Sequence, residues 1–166
     1  YYFGSKEGLF QAALGEAYRR FNEAEAALAL DPDRPVASLE AVVRFMWHYY
    51  RKHPEFIRLL NTENLLRGRH LTKGARMGEY SSPAVGILEG VLAAGRARGV
   101  FRDDASARDV YLMIASLGYF YLSNRYTLSA FLDEQLDAPE AMAHWEFFIV
   151  DAVLRTVSVA GAAPAA

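Results

Sequence analysis

Apolar residues recur along this chain at the three- and four-residue steps of an α-helix. In the first such stretch, residues 5–30, they lie at Leu9, Ala13, Ala17 and Phe21. No stretch alternates apolar and polar residues over the length of a half-buried strand, and no sequence repeat of fixed period is present. The pattern therefore predicts an all-α, multi-helix domain.

Prolines and capping residues mark where the predicted helices begin and end. A proline suits the first turn of a helix but interrupts its interior, and serine or aspartate is favoured at the N-cap. Ser5 and Asp137 are predicted caps, and Ser81-Ser82-Pro83 is a start signal. The predicted helices cover Ser5 to about Leu30, Pro35 to about Lys52, Pro54 onward with helical spacing to His70, Pro83 to about Arg98, Ala105 or Ser106 to Ser123, and Pro139 to about Val157. Residues 68–78 are predicted to be weakly helical or irregular, and Thr127 to Leu132 a short helix or turn.

Polar residues take over the apolar face of the helix that begins at Pro54. Helical spacing continues that face through Glu63, Asn64 and Arg67 to His70. If buried, these groups need partners, because an unpaired buried polar group is costly. Two interpretations stay open: Glu63 pairs with Arg67 while Asn64 bonds a nearby backbone group, or these groups line a cavity and contact the polar end of a ligand. On one continuous helix, Glu63 and His70 would be two turns apart, too far for a direct bond.

Two predicted helices, around residues 110–122 and 140–157, are apolar on more than one side. Covering one face within the subunit leaves another exposed, and a long apolar strip in water favours association. We therefore predict a homodimer in which two helices from each subunit form a four-helix bundle; the alternative is a monomer whose last helix is central. The predicted interface positions are Ile114, Leu117, Gly118, Tyr121, Ala141, Trp145, Phe148 and Ala152. The side chains expected to face inward are Phe147, Val150 and Leu154.

Composition and charge are those of a globular domain. The chain has 166 residues, of which 52% are hydrophobic and 23% charged. A net charge of −2 and dispersed basic residues argue against this portion wrapping nucleic acid by itself. The absence of cysteine excludes disulfides and thiolate metal sites. No uncharged apolar run reaches the ~20 residues of a membrane span and no signal peptide is present, so we expect a cytoplasmic protein.

The usual signatures of enzyme sites are absent from the sequence. None of GxxxxGK[ST], GxGxxG, HExxH or GxSxG occurs. The four histidines, at positions 48, 53, 70 and 144, do not have the spacing of metal ligands. We therefore expect no catalytic residues, no metal and no cofactor.

The first ten residues, YYFGSKEGLF, contain a fairly specific motif. Gly4 can end one helix and Ser5 can cap the next. The string resembles the Y-Y-F-x-S-K-E-x-L-F sequence of TetR-type transcriptional regulators, and it matches every fixed position, at Tyr1, Tyr2, Phe3, Ser5, Lys6, Glu7, Leu9 and Phe10. In that family the string closes the DNA-recognition helix and begins the long connecting helix. His53 to Leu60 and Gly99 to Asp104 also resemble segments of these regulators.

The resemblance implies a ligand-binding and dimerisation domain of a regulator, expected to be a repressor. Residues 1–4 would be the tail of the recognition helix of a missing DNA-binding domain, residues 5–158 the ligand-binding and dimerisation domain, and residues 159–166 a disordered tail. By resemblance, the residues near DNA phosphates are Tyr1, Tyr2 and Lys6, whereas the missing N-terminal helices read operator DNA. A small-molecule effector bound between helices would change the angle of the connecting helices, and with it the affinity for the operator.

The effector cavity is expected to be largely apolar, with aromatic walls and a few polar anchors. Its expected lining residues are Trp47, Tyr50, Leu60, Asn61, Asn64, Arg67 and Tyr111. Of these, Asn64 and Arg67 are the expected polar anchors, while Trp47 and Tyr111 also suit ordinary core positions. A helical enzyme or cofactor carrier with a site between helices is the competing class, followed by a purely structural dimer module. The effector's identity does not follow from the sequence.

Overall fold

The computed structural model describes residues 4–72 and 82–160 of the chain. Within these residues it forms seven α-helices. They are α1 (Lys6–Ala26), α2 (Pro35–Lys52), α3 (Pro54–Leu65), α4 (Arg69–Thr72), α5 (Ala84–Ala97), α6 (Ala107–Leu132) and α7 (Pro139–Val157). Extended backbone pairs at one place in the described part of the chain, an antiparallel bridge between Phe101 and Ser158. The all-α prediction is confirmed.

Local sequence signals set several helix boundaries. The Ser5 hydroxyl accepts a hydrogen bond from the Gly8 N–H at 3.0 Å and caps α1 as predicted. Gly4 precedes the cap with φ of 67°, in the left-handed region that favours glycine. The helices α2, α3 and α7 each begin with a proline. The bounds of α2 are those predicted from the sequence.

α2 is the centre of the fold. It packs against α3, α5, α6 and α7, while α1 packs on α3 and α5. Side chains on several sides of α2 are buried, among them Leu39, Val43, Met46 and Trp47. A helix that is apolar on most sides must be covered by neighbours. The structure confirms that prediction for α2.

Phe21 joins α1 to this centre. Its ring stacks on Phe56 of α3 with a centroid separation of 5.2 Å and meets Tyr49 of α2 edge-on at 4.9 Å. Both arrangements are favoured by the quadrupoles of aromatic rings. The cluster therefore fixes the positions of α1, α2 and α3 relative to each other.

α6 is one helix of 26 residues, not a helix to Ser123 followed by a short separate element. No glycine or proline interrupts its second half. Its polar residues bond to the helix's own backbone: Asn124 Nδ2 donates to the Phe120 carbonyl at 2.9 Å, and Thr127 Oγ1 donates to the Asn124 carbonyl at 2.9 Å. These side chains are compatible with a continuous helix, so the predicted break after Ser123 is wrong.

Two helix ends differ from the prediction. α1 ends at Ala26 instead of about Leu30, and Asp137 does not cap α7. Ala138 occupies the N-cap position without a side-chain bond. The Asp137 carboxylate instead pairs with Arg125 at 2.6 Å. An ion pair between α6 and the start of α7 thus takes the place of the predicted cap.

The helix that begins at α3 does not continue to His70 as predicted. Arg67 and Gly68 adopt positive φ values of 59° and 70°, and the chain reverses. The reversal brings His70 onto Glu63: Nδ1 lies 2.7 Å from Oε2, and the His70 N–H donates to Oε1 at 2.6 Å. The predicted Glu63–Arg67 pair and the predicted two-turn separation of Glu63 and His70 are both wrong, because the helix ends between them.

The link between α5 and α6 is anchored to the end of α7. Gly99 turns the chain with φ of 67°. The Arg102 N–H then donates to the Val157 carbonyl at 2.8 Å, and the Val159 N–H donates to the Val100 carbonyl at 3.1 Å. These bonds hold the start of α6 and the end of α7 together.

Part of the predicted dimer face is used inside the subunit. Ile114, Gly118 and Tyr121 are buried, and a Cβ at Gly118 would lie 3.3 Å from the Tyr50 ring. The prediction that these three residues contact a second subunit is wrong, because they face the core of their own subunit. Phe147, which was expected to face inward, is 66% exposed. Phe147 therefore lies on the outer side of α7, and the expectation that it faces inward is wrong.

The remaining predicted interface positions on α6 and α7 are not fully buried, although Leu117 and Trp145 also pack against the core. They are Leu117, Ala141, Trp145, Phe148 and Ala152, each at least partly exposed. Further exposed apolar side chains on these helices are Leu112, Phe120, Phe131, Leu132 and Phe147. The two residues that face the core as predicted are Val150 and Leu154. The two helices thus carry an apolar surface that the subunit itself does not cover.

Several predicted features lie outside the described residues. They are Tyr1, Tyr2 and Phe3, residues 73–78 of the stretch predicted to be weakly helical or irregular, the start-signal residue Ser81, and residues 161–166 of the predicted tail. Within the two described ranges, none of the helices has the length and apolar character needed to cross a lipid bilayer.

Candidate functional site

A cavity of about 190 Å³ opens between α2, α3 and α6, near the start of α7. Two of the predicted ligand-binding residues, Tyr50 and Asn61, line it. The other lining residues are Arg51, Arg58 and Arg125, the apolar Pro54, Ile57, Leu122 and Met142, and the polar Ser123, Tyr126 and Asp137. Eight of these twelve residues carry a polar or charged group, so the cavity is more polar than the largely apolar site expected from the sequence. Its convergent polar groups could orient a small molecule against the apolar part of the wall.

Asn61 connects two helices at the cavity wall. Its Oδ1 accepts from the Ser123 hydroxyl at 3.0 Å and from the Tyr119 hydroxyl. Asn64, further along α3, donates from Nδ2 to the same Tyr119 hydroxyl at 3.4 Å. The two asparagines therefore connect α3 to α6. No described residue accepts a hydrogen bond from Asn61 Nδ2, so its two N–H groups can serve a ligand.

Tyr50 forms the buried wall of the cavity. Its ring stacks on Phe56 with a centroid separation of 6.1 Å. Burial raises the pKa of the Tyr50 hydroxyl well above its ordinary value, and the nearby Tyr111 and Glu25 raise it further. The hydroxyl is therefore neutral near pH 7 and can both donate and accept a hydrogen bond.

A second polar cluster lies between α1, α5 and α6. The Glu25 side chain is buried, and its Oε2 accepts from the Ser82 hydroxyl at 2.7 Å. Burial raises the pKa of Glu25, although the hydrogen bonds from Ser82 and the Ala84 N–H oppose the rise. Oε1 has no hydrogen-bond partner among the described residues. Tyr111 belongs to this cluster and not to the 190 Å³ cavity, and burial and the nearby Glu25 raise the pKa of its hydroxyl.

The other predicted ligand-binding residues lie outside the cavity wall. Trp47 is 1% exposed and packs edge-on against Tyr121, and Leu60 is partly buried beside the core. Asn64 is exposed, as is Arg67. Arg67 lies in the turn after α3, because the helix that would have aligned it with Leu60 has already ended.

The sequence-based prediction missed Glu25, Ser82, Tyr119 and Ser123. For Glu25 a signal was present, since it lies four residues after Phe21 and therefore on the same helical face. No local sequence pattern indicates that the hydroxyl groups of Tyr119 and Ser123 bond to Asn61. Tyr119 and Ser123 are separated from Asn61 by 58 and 62 residues in the sequence, respectively. Only the packing of α6 on α3 brings them together.

Lys6 is the one predicted DNA-contacting residue within the described part of the chain. It is the first residue of α1, and its side chain is exposed. Among the described residues, no group of three or more histidine, aspartate or glutamate side chains could hold a metal ion.

Two comparisons with known proteins agree with each other. Residues 35–153 match the family model described as the tetracyclin repressor-like, C-terminal domain. The HTH-type transcriptional repressor NicS of Pseudomonas putida is 50% identical over 155 residues, which span 93% of this chain and 73% of that protein. The matched family segment runs from the start of α2 into α7 and so contains the cavity wall. The chain therefore belongs to the TetR family of ligand-responsive transcriptional regulators, and not to the helical enzymes that the sequence alone left as an alternative.

Proposed function

We propose that residues 5–158 form the effector-binding and dimerisation part of a repressor, whose affinity for operator DNA changes when a small molecule occupies the cavity between α2, α3 and α6. The similarity to a protein named as a transcriptional repressor favours repression over activation. A helix-turn-helix unit outside the described helices would read the operator, with Lys6 close to the phosphate backbone.

The position of Asn61 carries this proposal. It lines the cavity and, through Tyr119 and Ser123, holds α3 to α6. A ligand that binds the Asn61 amide would change the bonds between these two helices. Tyr50 would supply the aromatic wall, whereas Asn64 would act indirectly through Tyr119.

The end of α3 offers a path from the cavity to α1. Glu63 holds His70, whose ring lies 5.0 Å from the Phe10 ring and whose Nε2 lies 3.5 Å from Glu7 Oε1. Arg69 also pairs with Glu7, at 2.7 Å. Glu7 and Phe10 belong to the first turns of α1. A ligand that favours one position of α3 over another would therefore shift the first turns of α1, which directly follow the proposed DNA-contacting unit.

The Asn61→Leu variant tests the effector site, because leucine keeps the size of the side chain and removes the amide. The complete repressor is bound to the DNA upstream of its own gene, and fluorescence anisotropy follows its release by compounds selected from a metabolite library. The affinity for DNA without effector is measured first for both proteins, because Asn61→Leu also removes the bonds from Tyr119 and Ser123 that hold α3 to α6. The effector concentration needed for release should rise roughly 10- to 100-fold, as expected for the loss of a buried hydrogen bond to a ligand.

Asn124→Ala is the matched control for this experiment. The Asn124 amide bonds to the Phe120 carbonyl of its own helix, so its loss should leave the effector response unchanged. Release of the Asn61→Leu repressor at the wild-type effector concentration would contradict the proposed site.

A further inference from the structure

The cavity beside Asn61 carries more positive than negative charge. Three guanidinium groups line it, those of Arg51, Arg58 and Arg125, against the one carboxylate of Asp137. Arg125 is already satisfied, because it pairs with Asp137 at 2.6 Å and donates to the Tyr126 hydroxyl at 2.7 Å. The excess charge at the cavity therefore belongs to Arg51 and Arg58.

Neither of these two arginines forms an ion pair with a described carboxylate. The Arg51 guanidinium lies 5.8 Å from the centroid of the Trp47 ring, a cation–π contact that holds it beside the cavity. The acidic residue nearest to Arg58 along α3 is Glu55, whose Oε1 lies 2.9 Å from His53 Nδ1 instead. Both guanidinium groups thus remain available to a ligand at the cavity mouth.

The remaining polar groups of the wall also suit an anion. The N–H groups of Asn61 Nδ2 are unused by the described residues, because Oδ1 is the atom that binds Tyr119 and Ser123. Guanidinium and amide N–H groups are donors, and a carboxylate is the acceptor that a planar guanidinium binds with two parallel hydrogen bonds. A cationic ligand would meet repulsion from Arg51 and Arg58 here.

The volume of the cavity limits the size of the ligand. Its 190 Å³ is below the roughly 300–1,000 Å³ of sites for drug-sized molecules. The wall away from the arginines is apolar and aromatic, formed by Ile57, Leu122, Met142 and the Tyr50 ring. These walls favour a molecule with one ring or a short hydrocarbon chain over an inorganic ion.

We propose that this cavity binds a small organic carboxylate, with Arg51 and Arg58 binding the carboxylate and the Tyr50 side of the cavity holding the hydrocarbon part. The proposal rests on the effector site proposed above and gives that effector its chemical class. A neutral ligand would cover the two arginines without a counter-charge, and desolvating an unpaired charge is unfavourable.

Isothermal titration calorimetry on the protein without DNA tests this inference at constant ionic strength. The probes are benzoate, its neutral analogue benzamide, the short-chain carboxylate butyrate, and inorganic phosphate. We expect at least one of the two carboxylates to bind, benzoate to bind at least about tenfold tighter than benzamide, and phosphate not to bind. Arg51→Gln and Arg58→Gln should each weaken carboxylate binding by roughly 10- to 100-fold, as expected for a charge-assisted hydrogen bond.

Arg108→Gln removes the same charge from an exposed position at the start of α6 and should leave carboxylate binding unchanged. Circular dichroism confirms that each variant is folded, which is expected because all three arginines are exposed. The inference is overturned if neither carboxylate binds, if benzamide binds as tightly as benzoate, if phosphate binds as tightly as either carboxylate, or if neither cavity variant weakens binding.

The release experiment with Asn61→Leu separates this inference from the proposed function. If a neutral compound releases the wild-type repressor from DNA and loses its effect on Asn61→Leu, the effector site stands and the carboxylate class fails. If carboxylates bind through Arg51 and Arg58 but no compound ever releases the DNA, the carboxylate site stands and the regulatory role of the cavity fails.

Discussion

Glu63 is a buried carboxylate whose charge is balanced by groups beyond the end of its own helix. Burial alone would raise its pKa, but hydrogen bonds from the His70 ring and from the N–H groups of His70 and Leu71 outweigh that effect. The pKa of Glu63 therefore lies below its ordinary value of 4.5. A carboxyl group with a lowered pKa in the folded state stabilises the fold above its unfolded pKa, and this contribution is lost as pH falls through the folded value.

Glu63→Gln should make the loss of stability in acid less steep. We expect the variant to be less stable than wild type by about 1–3 kcal/mol at pH 7, because the charged acceptor of three hydrogen bonds is gone. The difference between the two proteins should shrink as pH falls below about 4.5, and it should vanish only once the pH has passed the lowered pKa of Glu63, where the wild-type carboxylate is also protonated. Urea unfolding between pH 7 and pH 3 measures the free energy of unfolding of each.

Glu134→Gln is the control for this comparison, because Glu134 is exposed and should leave the pH profile nearly unchanged. If Glu63→Gln retained the full wild-type pH dependence, the bonds between Glu63 and His70 would not stabilise the fold.

At the residue scale, what could be predicted from the sequence depended on how local the interaction is. The Ser5 cap was predicted, because the Gly8 N–H that it binds is three residues away. Tyr50 and Asn61 were predicted as ligand-binding residues and line one cavity, although their contact with a ligand stays a prediction. The partner of Glu63 was not predicted, because it depends on a chain reversal at Arg67, a residue type that rarely adopts positive φ.

At the scale of helices, boundaries marked by a proline were predicted well and those set by packing were not. The bounds of α2 match because Pro35 begins it and His53-Pro54 follows it. The break after α3 and the continuity of α6 through Ser123 have no comparable signal. The prediction ended the helix at Ser123, whereas α6 continues without interruption to Leu132.

The contact between α5 and the link that follows it depends on a glycine. A Cβ built on Gly95 would lie 1.9 Å from the ring of the buried Phe101. Gly95→Ala should lower the free energy of unfolding by about 1–3 kcal/mol, because the ring has to move within a filled core. Guanidinium unfolding measures the change.

Gly90→Ala on the same helix provides the control. A Cβ at Gly90 would have no heavy atom within 4 Å, so this variant should gain about 0.4–1 kcal/mol from the reduced entropy of the unfolded chain. Equal effects of the two substitutions would mean that the Phe101 ring does not restrict Gly95.

At the scale of the whole molecule, the apolar surface on α6 and α7 supports the proposed dimer. Phe120 is 56% exposed, Phe147 66% and Phe148 43%. Three large aromatic side chains on two packed helices are more than the scattered exposed residues of a typical monomer surface. The sequence predicted the two helices but assigned their faces partly wrongly, because both sides of α6 are apolar.

Charge placed on this surface should separate the subunits. We expect wild type to have a dimer mass by light scattering at micromolar concentration and the Phe120→Lys/Phe148→Lys double variant to have a monomer mass, because two lysines would have to be desolvated in the interface. Leu65→Lys is the control, since Leu65 is 84% exposed at the end of α3 and lies away from this surface. A double variant that remained dimeric would place the interface elsewhere.

The central position of α2 has a consequence for genetics. Half of its 18 residues are buried, so substitutions at these positions would reduce the amount of folded repressor, and cells would express the regulated genes without effector. Alleles that repress normally but ignore the effector require a folded protein with an altered cavity or an altered path to α1. We expect such alleles to map to α3, to the turn that follows it, and to the part of α6 around Tyr119 and Ser123. Loss of repression and loss of response would thus map to neighbouring helices of the same domain.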